Sequence, residues 1–289
     1  MEASELKEKL SNLSIWKKNG QRAPHKPLLI LLGLVQLQQN NTILPYELVR
    51  DKLKRLLIEF GPPRKSYHPE QPFVRLTTDG IWRLTNSIDK RHFSDKQLLD
   101  GQVEGGFSGE VLSLLQNNEL LIHEIAELLL NEHFPETIHQ DILDEIGLDF
   151  SAQKKRKRDP GFRDRILKAY EYSCAVCGFN VRLGHNLVAI DAAHIQWHQA
   201  GGPDTEENGI ALCSLHHKLF DRGVFTITGE RDLLVTEQAY GTQGFEEWLM
   251  RFHGKKVRSP INPIYTTKES FISWHVREVF RGPARYRIV

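Results

Sequence analysis

The chain is poor in cysteine, with three in 289 residues. That is an odd number and too few for a disulfide scaffold, which fits a reducing compartment. It has no uninterrupted apolar run of about 18 residues, and its most apolar stretch, Pro27 to Leu37, is too short to span a bilayer. The first ten residues, MEASELKEKL, mix acids with bases and hold no apolar segment, so they do not read as a secretory signal. Membrane, secreted mini-protein and disordered classes are therefore not expected. What remains, 26% charged and 40% hydrophobic, is the composition of a globular chain long enough for two domains.

No Lys or Arg occurs between residues 97 and 150, where there are 12 acids. Residues 1–96 carry 17 Lys+Arg against 10 Asp+Glu, and residues 151–289 carry 21 against 15, so the net charge of +1 hides three blocks of opposite sign. A polyanion would meet the outer blocks and be repelled by the middle one, unless the middle one is only a solvated helical face.

The clearest boundary is Ser151 to Gly161, with five consecutive bases followed by a Pro-Gly breaker. It reads as a linker, open to use as an import signal or as an arm along DNA phosphates. The expected domains are 1–150, a linker at 151–160, and 161–289. In the first, helices are expected over Pro27–Gln39, Pro45–Phe60, Ser108–Asn117, Asn118–Asn131 and Glu136–Glu145, and a hairpin over 73–84 around Asp79-Gly80. Helices followed by a hairpin suggest a winged-helix-like arrangement. In the second, helices are expected at Gly161–Tyr172, Phe245–Phe252 and Lys268–Arg281, with short segments and turns between. The fold class is α+β.

Cys174-Ala-Val-Cys177 and Cys213-Ser-Leu-His216 use every cysteine in the chain plus one histidine. Four such ligands in two matched half-sites suit tetrahedral Zn²⁺ better than a redox pair, and the closed shell makes the ion structural. Between and after the half-sites stand His194, Asn208 and His217. Over residues 174–229 the sequence resembles the HNH nucleases, in their zinc-containing McrA-like branch, whose site is a β-hairpin and a helix (ββα-metal). The resemblance implies that His194 is the general base for water, that Asn208 braces the loop and orients His194, and that His217 binds a catalytic Mg²⁺ or another divalent transition metal. Many such sites carry a further ligand directly before the base, where this chain has Ala193. Asp191, two residues earlier on the same strand face, is a candidate replacement, or a strand-end polar residue. Asp221, one turn after His217, is placed to orient that ring. His185, His198 and His253 read as surface or loop residues.

Two basic clusters lie in the first block: Lys17, Lys18, Arg22, His25 and Lys26, then Arg64 and Lys65 beside Tyr67 and His68. Arg75 and Arg83 lie on the expected hairpin. Such cations suit phosphate positioning or simple solvation. The segment Asn19 to Ile30, with Tyr67-His68-Pro69 and Glu104-Gly105-Gly106-Phe107, is similar to the sulfur-binding domain of phosphorothioation-dependent, type IV-like restriction endonucleases. The resemblance spans roughly residues 10–150 and implies a shallow apolar cavity for the sulfur that replaces a phosphate oxygen. Candidates are Tyr67, His68 and Pro69, a turn at Gly105-Gly106, and His25-Lys26 as the flanking cation, with Arg22 as a further DNA-binding residue; ordinary turn geometry is the alternative for the prolines and glycines. Near the C-terminus, aromatics interleave with Arg277, Arg281, Arg285 and Arg287, as a docking helix or as phosphate contacts.

The sequence is therefore expected to encode a bacterial, cytoplasmic DNA endonuclease acting on phosphorothioated duplex DNA, with a homodimer or paired recruitment to cut both strands. The alternatives are an HNH enzyme directed at methylated DNA and a non-cleaving DNA-binding regulator. The intact His194, Asn208 and His217 set argues against the latter.

Overall fold

The structure is a computed structural model and describes residues 1–15, 22–148 and 160–286. Lys17, Lys18, Arg287 and residues 151–159 of the basic segment lie outside the described residues. The chain divides into two compact units, Met1–Gln153 and Lys154–Val289. Helices and small sheets are mixed in both, and no described helix is long and apolar enough to cross a membrane.

The first unit contains α1 (Ala3–Ser11), α2 (His25–Gln38), β1 (Leu44–Pro45), α3 (Tyr46–Phe60), α4 (Glu70–Arg75), β2 (Trp82–Leu84), α5 (Asp95–Asp100), β3 (Glu104–Phe107), α6 (Gly109–Leu115), α7 (Glu119–His133) and α8 (His139–Ile146). Its axis is α2. Pro27 sits in the first turn, where a missing N–H removes no helical hydrogen bond. Every residue from Leu28 to Val35 is buried, as an all-apolar helix requires. α3, α4, α7 and α8 pack around it.

The hairpin expected over 73–84 does not form, so this segment makes no wing. Glu70–Arg75 is helical, Leu76–Asp79 is a 3₁₀ turn, and Gly80 closes it in the left-handed region at φ 73°. Phe73, Val74 and Leu76 are all fully buried, which a strand with one solvent face would not allow. The Asp-Gly pair that would suit a hairpin turn serves here as a helix stop, since both need positive φ at glycine. Only β2 is extended, and its partner is β3, the central strand of the antiparallel sheet β1-β3-β2.

Gly105 and Gly106 are likewise not a turn. They are buried in β3, opposite Leu44, Leu84 and Arg83. A Cβ on Gly105 would lie 2.5 Å from Trp82 Nε1 and 3.0 Å from Phe73 Cζ, and one on Gly106 would strike the Thr42 carbonyl. Glycine inside a strand here permits close packing, with Phe73, Trp82 and Phe107 in successive edge-on contact.

The second unit contains α9 (Pro160–Ala169), β4 (Val181–Leu183), β5 (Asn186–Val188), β6 (Ile190–His194), β7 (Gly209–Cys213), α10 (Ser214–Asp221), β8 (Phe225–Ile227), β9 (Leu233–Val235), α11 (Gln243–Trp248) and α12 (Glu269–Glu278). β6 and β7 pair antiparallel over five residues, from Ile190↔Cys213 to His194↔Gly209, and α10 follows β7 without a break. α9 packs on both strands, with Phe162 and Ile166 in the core above Gly209. This hairpin and helix form the frame on which the candidate site is built.

Candidate functional site

The hairpin register brings Cys213, at the end of β7, beside the Cys174–Cys177 turn, and the first turn of α10 adds His216. Sγ of Cys213 lies 3.9 Å from Sγ of Cys177 and 3.1 Å from Nδ1 of His216; Cys174 Sγ is 3.7 Å from the same nitrogen. The four donor atoms lie within 4.8 Å of one another. Ligands at about 2.3 Å (sulfur) and 2.0 Å (nitrogen) from a tetrahedral ion are separated by about 3.5–3.8 Å, so this donor set fits a metal. A second observation points the same way. His216 Nε2 donates to the Trp248 carbonyl at 2.9 Å, which leaves Nδ1 as the ligand nitrogen and fixes the ring.

The electrostatics agree. Hydrogen bonds from Cys177 and Cys213 push the Cys174 thiol far down, toward thiolate, while the contact with Cys174 pushes Cys213 up. Burial would lower His216, but its contacts with the Cys174 and Cys177 sulfurs raise it to about 9. Three sulfurs this close cannot all ionise without a cation to share.

Across the hairpin, His194 ends β6. Its Nε2 lies 2.7 Å from Asp204 Oδ1, and its ring stacks on Phe162 at 4.1 Å and 14°. Asn208 is fully buried at the foot of the intervening loop. Its Oδ1 accepts from Gln196 N at 2.8 Å, and its Nδ2 donates to the carbonyls of Gln196 and Pro203, each at 3.0 Å. It thus clamps the two ends of the loop through main chain. His217 is buried on α10 with Nε2 3.2 Å from Asp221 Oδ2, and Asp221 Oδ1 accepts from Trp197 Nε1 at 3.1 Å.

Among the described residues, two groups of three or more His, Cys, Asp or Glu side chains converge closely enough for a metal. They are the Cys174, Cys177, Cys213 and His216 set, and His194 with His198 and Asp204. The expected pair Asp191 and His217 belongs to neither. Asp191 is half-exposed and meets Arg163 Nε at 3.3 Å, so a guanidinium from α9 already balances its charge. Asp204, His198 and Phe162 were not legible as site residues. An acid in the Gly-Gly-Pro-Asp turn, ten residues after the histidine, was the only signal.

In the first unit, His25 opens α2. Burial, with Arg64 and His68 nearby, lowers its imidazole to about 4. Tyr67 Oη accepts from the Arg64 main-chain N–H at 3.4 Å. His68 is exposed and bridges Ser66 Oγ (2.9 Å) and Glu70 Oε1 (3.0 Å), while Pro69 is buried at the N-cap of α4. His25, Tyr67, His68 and Pro69 therefore share one locus with Arg64. Two expected flanking cations, His25 and Lys26, are corrected. His25 is neutral at physiological pH. Lys26 turns inward, 2.5 Å from Asp79 and 2.7 Å from the Ser14 carbonyl. Arg22 donates through Nη1 to the Phe60 carbonyl at 3.4 Å.

A family model described as ScoMcrA-like, DNA sulfur-binding domain, matches residues 3–151, and one described as HNH endonuclease matches residues 174–228. Among solved structures, the sulfur binding domain of SprMcrA complexed with phosphorothioated DNA is 18% identical and covers 51% of this chain and 95% of that one, with a TM-score of 0.44. The corresponding ScoMcrA domain complex is 18% identical, covering 49% and 94%, at 0.42. The type IV phosphorothioation-dependent restriction endonuclease ScoMcrA is 17% identical, covering 52% of this chain and 35% of that one, at 0.41. No curated protein matches the chain.

Proposed function

We propose, because the chain belongs to the family of ScoMcrA-like DNA sulfur-binding domain proteins and also carries an HNH endonuclease domain, that it is a modification-dependent restriction endonuclease. In this reading it binds phosphorothioated duplex DNA through its first unit and hydrolyses a nearby phosphodiester with its second. One observation carries the reading: a sulfur-binding match and a nuclease match lie in order on a single chain, so recognition delivers the backbone to the hydrolytic site.

Recognition follows from the chemistry of sulfur, which is larger, more polarizable and less strongly hydrated than oxygen. The half-buried Tyr67 ring beside the buried Pro69 offers dispersion contact, and a neutral His25 offers no charge to reward an ordinary phosphate oxygen for losing its water. Arg64 supplies the cation for the backbone. In the second unit, Cys174, Cys177, Cys213 and His216 would hold a structural Zn²⁺, which would pin α10 to the hairpin. His194 takes a proton from water; the water oxygen bonds to phosphorus as the bond from phosphorus to the leaving sugar oxygen breaks, and that oxygen takes a proton from solvent. Asn208 keeps the loop that carries the base closed. A divalent ion, Mg²⁺ or a transition metal, would act as the Lewis acid on the phosphate. His217 fits as its ligand, since Asp221 holds one ring nitrogen in the carboxylate–histidine pattern of metal sites. Asp191, engaged by Arg163, is left out of that set.

The test is digestion of phosphorothioated and plain plasmid side by side, with binding to matched duplexes at one salt concentration. Only the modified DNA should be cut and tightly bound. His194→Ala should lower cleavage by about 10²–10⁴-fold with binding kept. Equal binding of the two duplexes removes the sulfur reading, and unchanged cutting by the variant removes the base.

A further inference from the structure

We infer that Asp204 is a positioning residue of the nuclease site, holding the His194 imidazole in one tautomer and one orientation; this rests on the reading of His194 as the base. The carboxylate meets Nε2 at 2.7 Å. Two ligands of one divalent ion, each at about 2.1 Å, lie about 3 Å or more apart, so the pair has hydrogen-bond rather than shared-cation geometry. His198 Nδ1 is 3.5 Å from the same oxygen, at the margin of that bond.

The carboxylate stands on a held loop. Arg165 from α9 donates to the Asp204 carbonyl at 2.8 Å and meets Glu206 at 3.0 Å. Pro203, the residue before, is tied to Asn208. Phe162, from the same helix as Arg165, covers one face of the imidazole. Edge and face of the ring are thus fixed by groups that are themselves braced. With Nε2–H donating to the carboxylate, the neutral ring carries its lone pair on Nδ1. The proton from water arrives at that nitrogen, and the carboxylate stabilises the imidazolium that results, as a buried Asp does for the base of a catalytic triad. No proton passes to Asp204.

The experiment uses the full chain, with Asp204→Asn, Asp204→Glu and His194→Ala. Its readouts are single-turnover cleavage of a phosphorothioated duplex, affinity for that duplex, and long-range proton–nitrogen NMR of the imidazoles near pH 8. Asp204→Asn should cut about 100-fold more slowly with affinity kept within about twofold, and Asp204→Glu should recover about tenfold of that loss. The wild-type His194 ring should show a single Nε2-protonated tautomer that Asp204→Asn turns into a mixture. A wild-type cleavage rate in Asp204→Asn, with His194→Ala inactive, overturns the positioning role and leaves the base standing. An active His194→Ala overturns the base itself. Should Asp204→Asn melt early, the wild-type spectrum decides, and an Nδ1-protonated ring there overturns the inference.

Discussion

Lys26 and Asp79 give the sharpest test of how the first unit uses its charge. The ammonium lies 2.5 Å from Asp79 Oδ2 and 2.7 Å from the Ser14 carbonyl, and the two side chains are only 11% and 9% exposed. Asp79 Oδ1 also accepts from Ser14 N at 3.1 Å, so one carboxylate ties the 3₁₀ turn to the start of α2 and to the chain before it. At an effective dielectric of about 20, the gross attraction at this distance is about 6–7 kcal/mol, and desolvation of both ions cancels much of it. Removing one partner is the costly change, because it strands the other charge. Asp79→Ala should therefore destabilise the unit by about 3–5 kcal/mol, lowering its melting temperature by about 10 °C. The double variant Lys26→Met with Asp79→Leu should regain most of that loss and bind phosphorothioated duplex with an unchanged salt dependence, since no surface cation has gone. Calorimetry and salt titration read both effects. If Asp79→Ala melts within about 1 kcal/mol of wild type while the double variant loses a phosphate contact's worth of salt slope, Lys26 faces DNA and the inward assignment is wrong.

Metal analysis should find about one tightly held zinc per chain that survives mild EDTA; Cys213→Ser should lose it and unfold the second unit, because structural sites of this kind supply about 10–16 kcal/mol of apparent binding energy. Zinc-free protein with a native melting profile would defeat that. His25 predicts a pH effect of definite sign. Its folded value, about 4, lies below the ordinary 6.5, so the unfolded chain binds the proton first as pH falls. The stabilisation from a neutral His25 is complete above about pH 6.5 and is lost toward pH 4, where it levels off. His25→Gln should flatten that part of the melting-temperature profile, and an unchanged profile would show the ring to be solvated.

What was legible in the sequence was whatever depended on local spacing. The half-sites Cys174–Cys177 and Cys213–His216 are read within one turn each, and the hairpin register only has to bring them together. α2, α3 and α7 announced themselves by long apolar patterns. The errors came where one local signal serves two structures. Asp79-Gly80 ends a helical turn rather than linking strands, because burial of Phe73, Val74 and Leu76 outweighs the alternation around them. Gly105-Gly106 marks close packing under Trp82 rather than a turn.

Charge misled in a more informative way. Residues 1–96 show seven more bases than acids, which reads as a phosphate-binding face. The fold then withdraws members of that set from solvent: Lys26 is spent on an acid 53 residues away, and His25 is held neutral by burial. No pattern in the sequence encodes either event, since the first depends on α2 meeting the 3₁₀ turn and the second on α2 meeting the segment that carries Arg64 and His68. The withdrawal is itself the physics that a sulfur site needs. A locus crowded with free cations would bind every phosphate alike. In the proposed reading, a half-buried Tyr67 ring beside the buried Pro69 and a neutral imidazole, with Arg64 close by, would penalise the better-hydrated oxygen and spare sulfur. On this argument, restoring charge at residue 25, as in His25→Lys, should raise affinity for plain DNA more than for modified DNA, so that discrimination falls while binding strengthens.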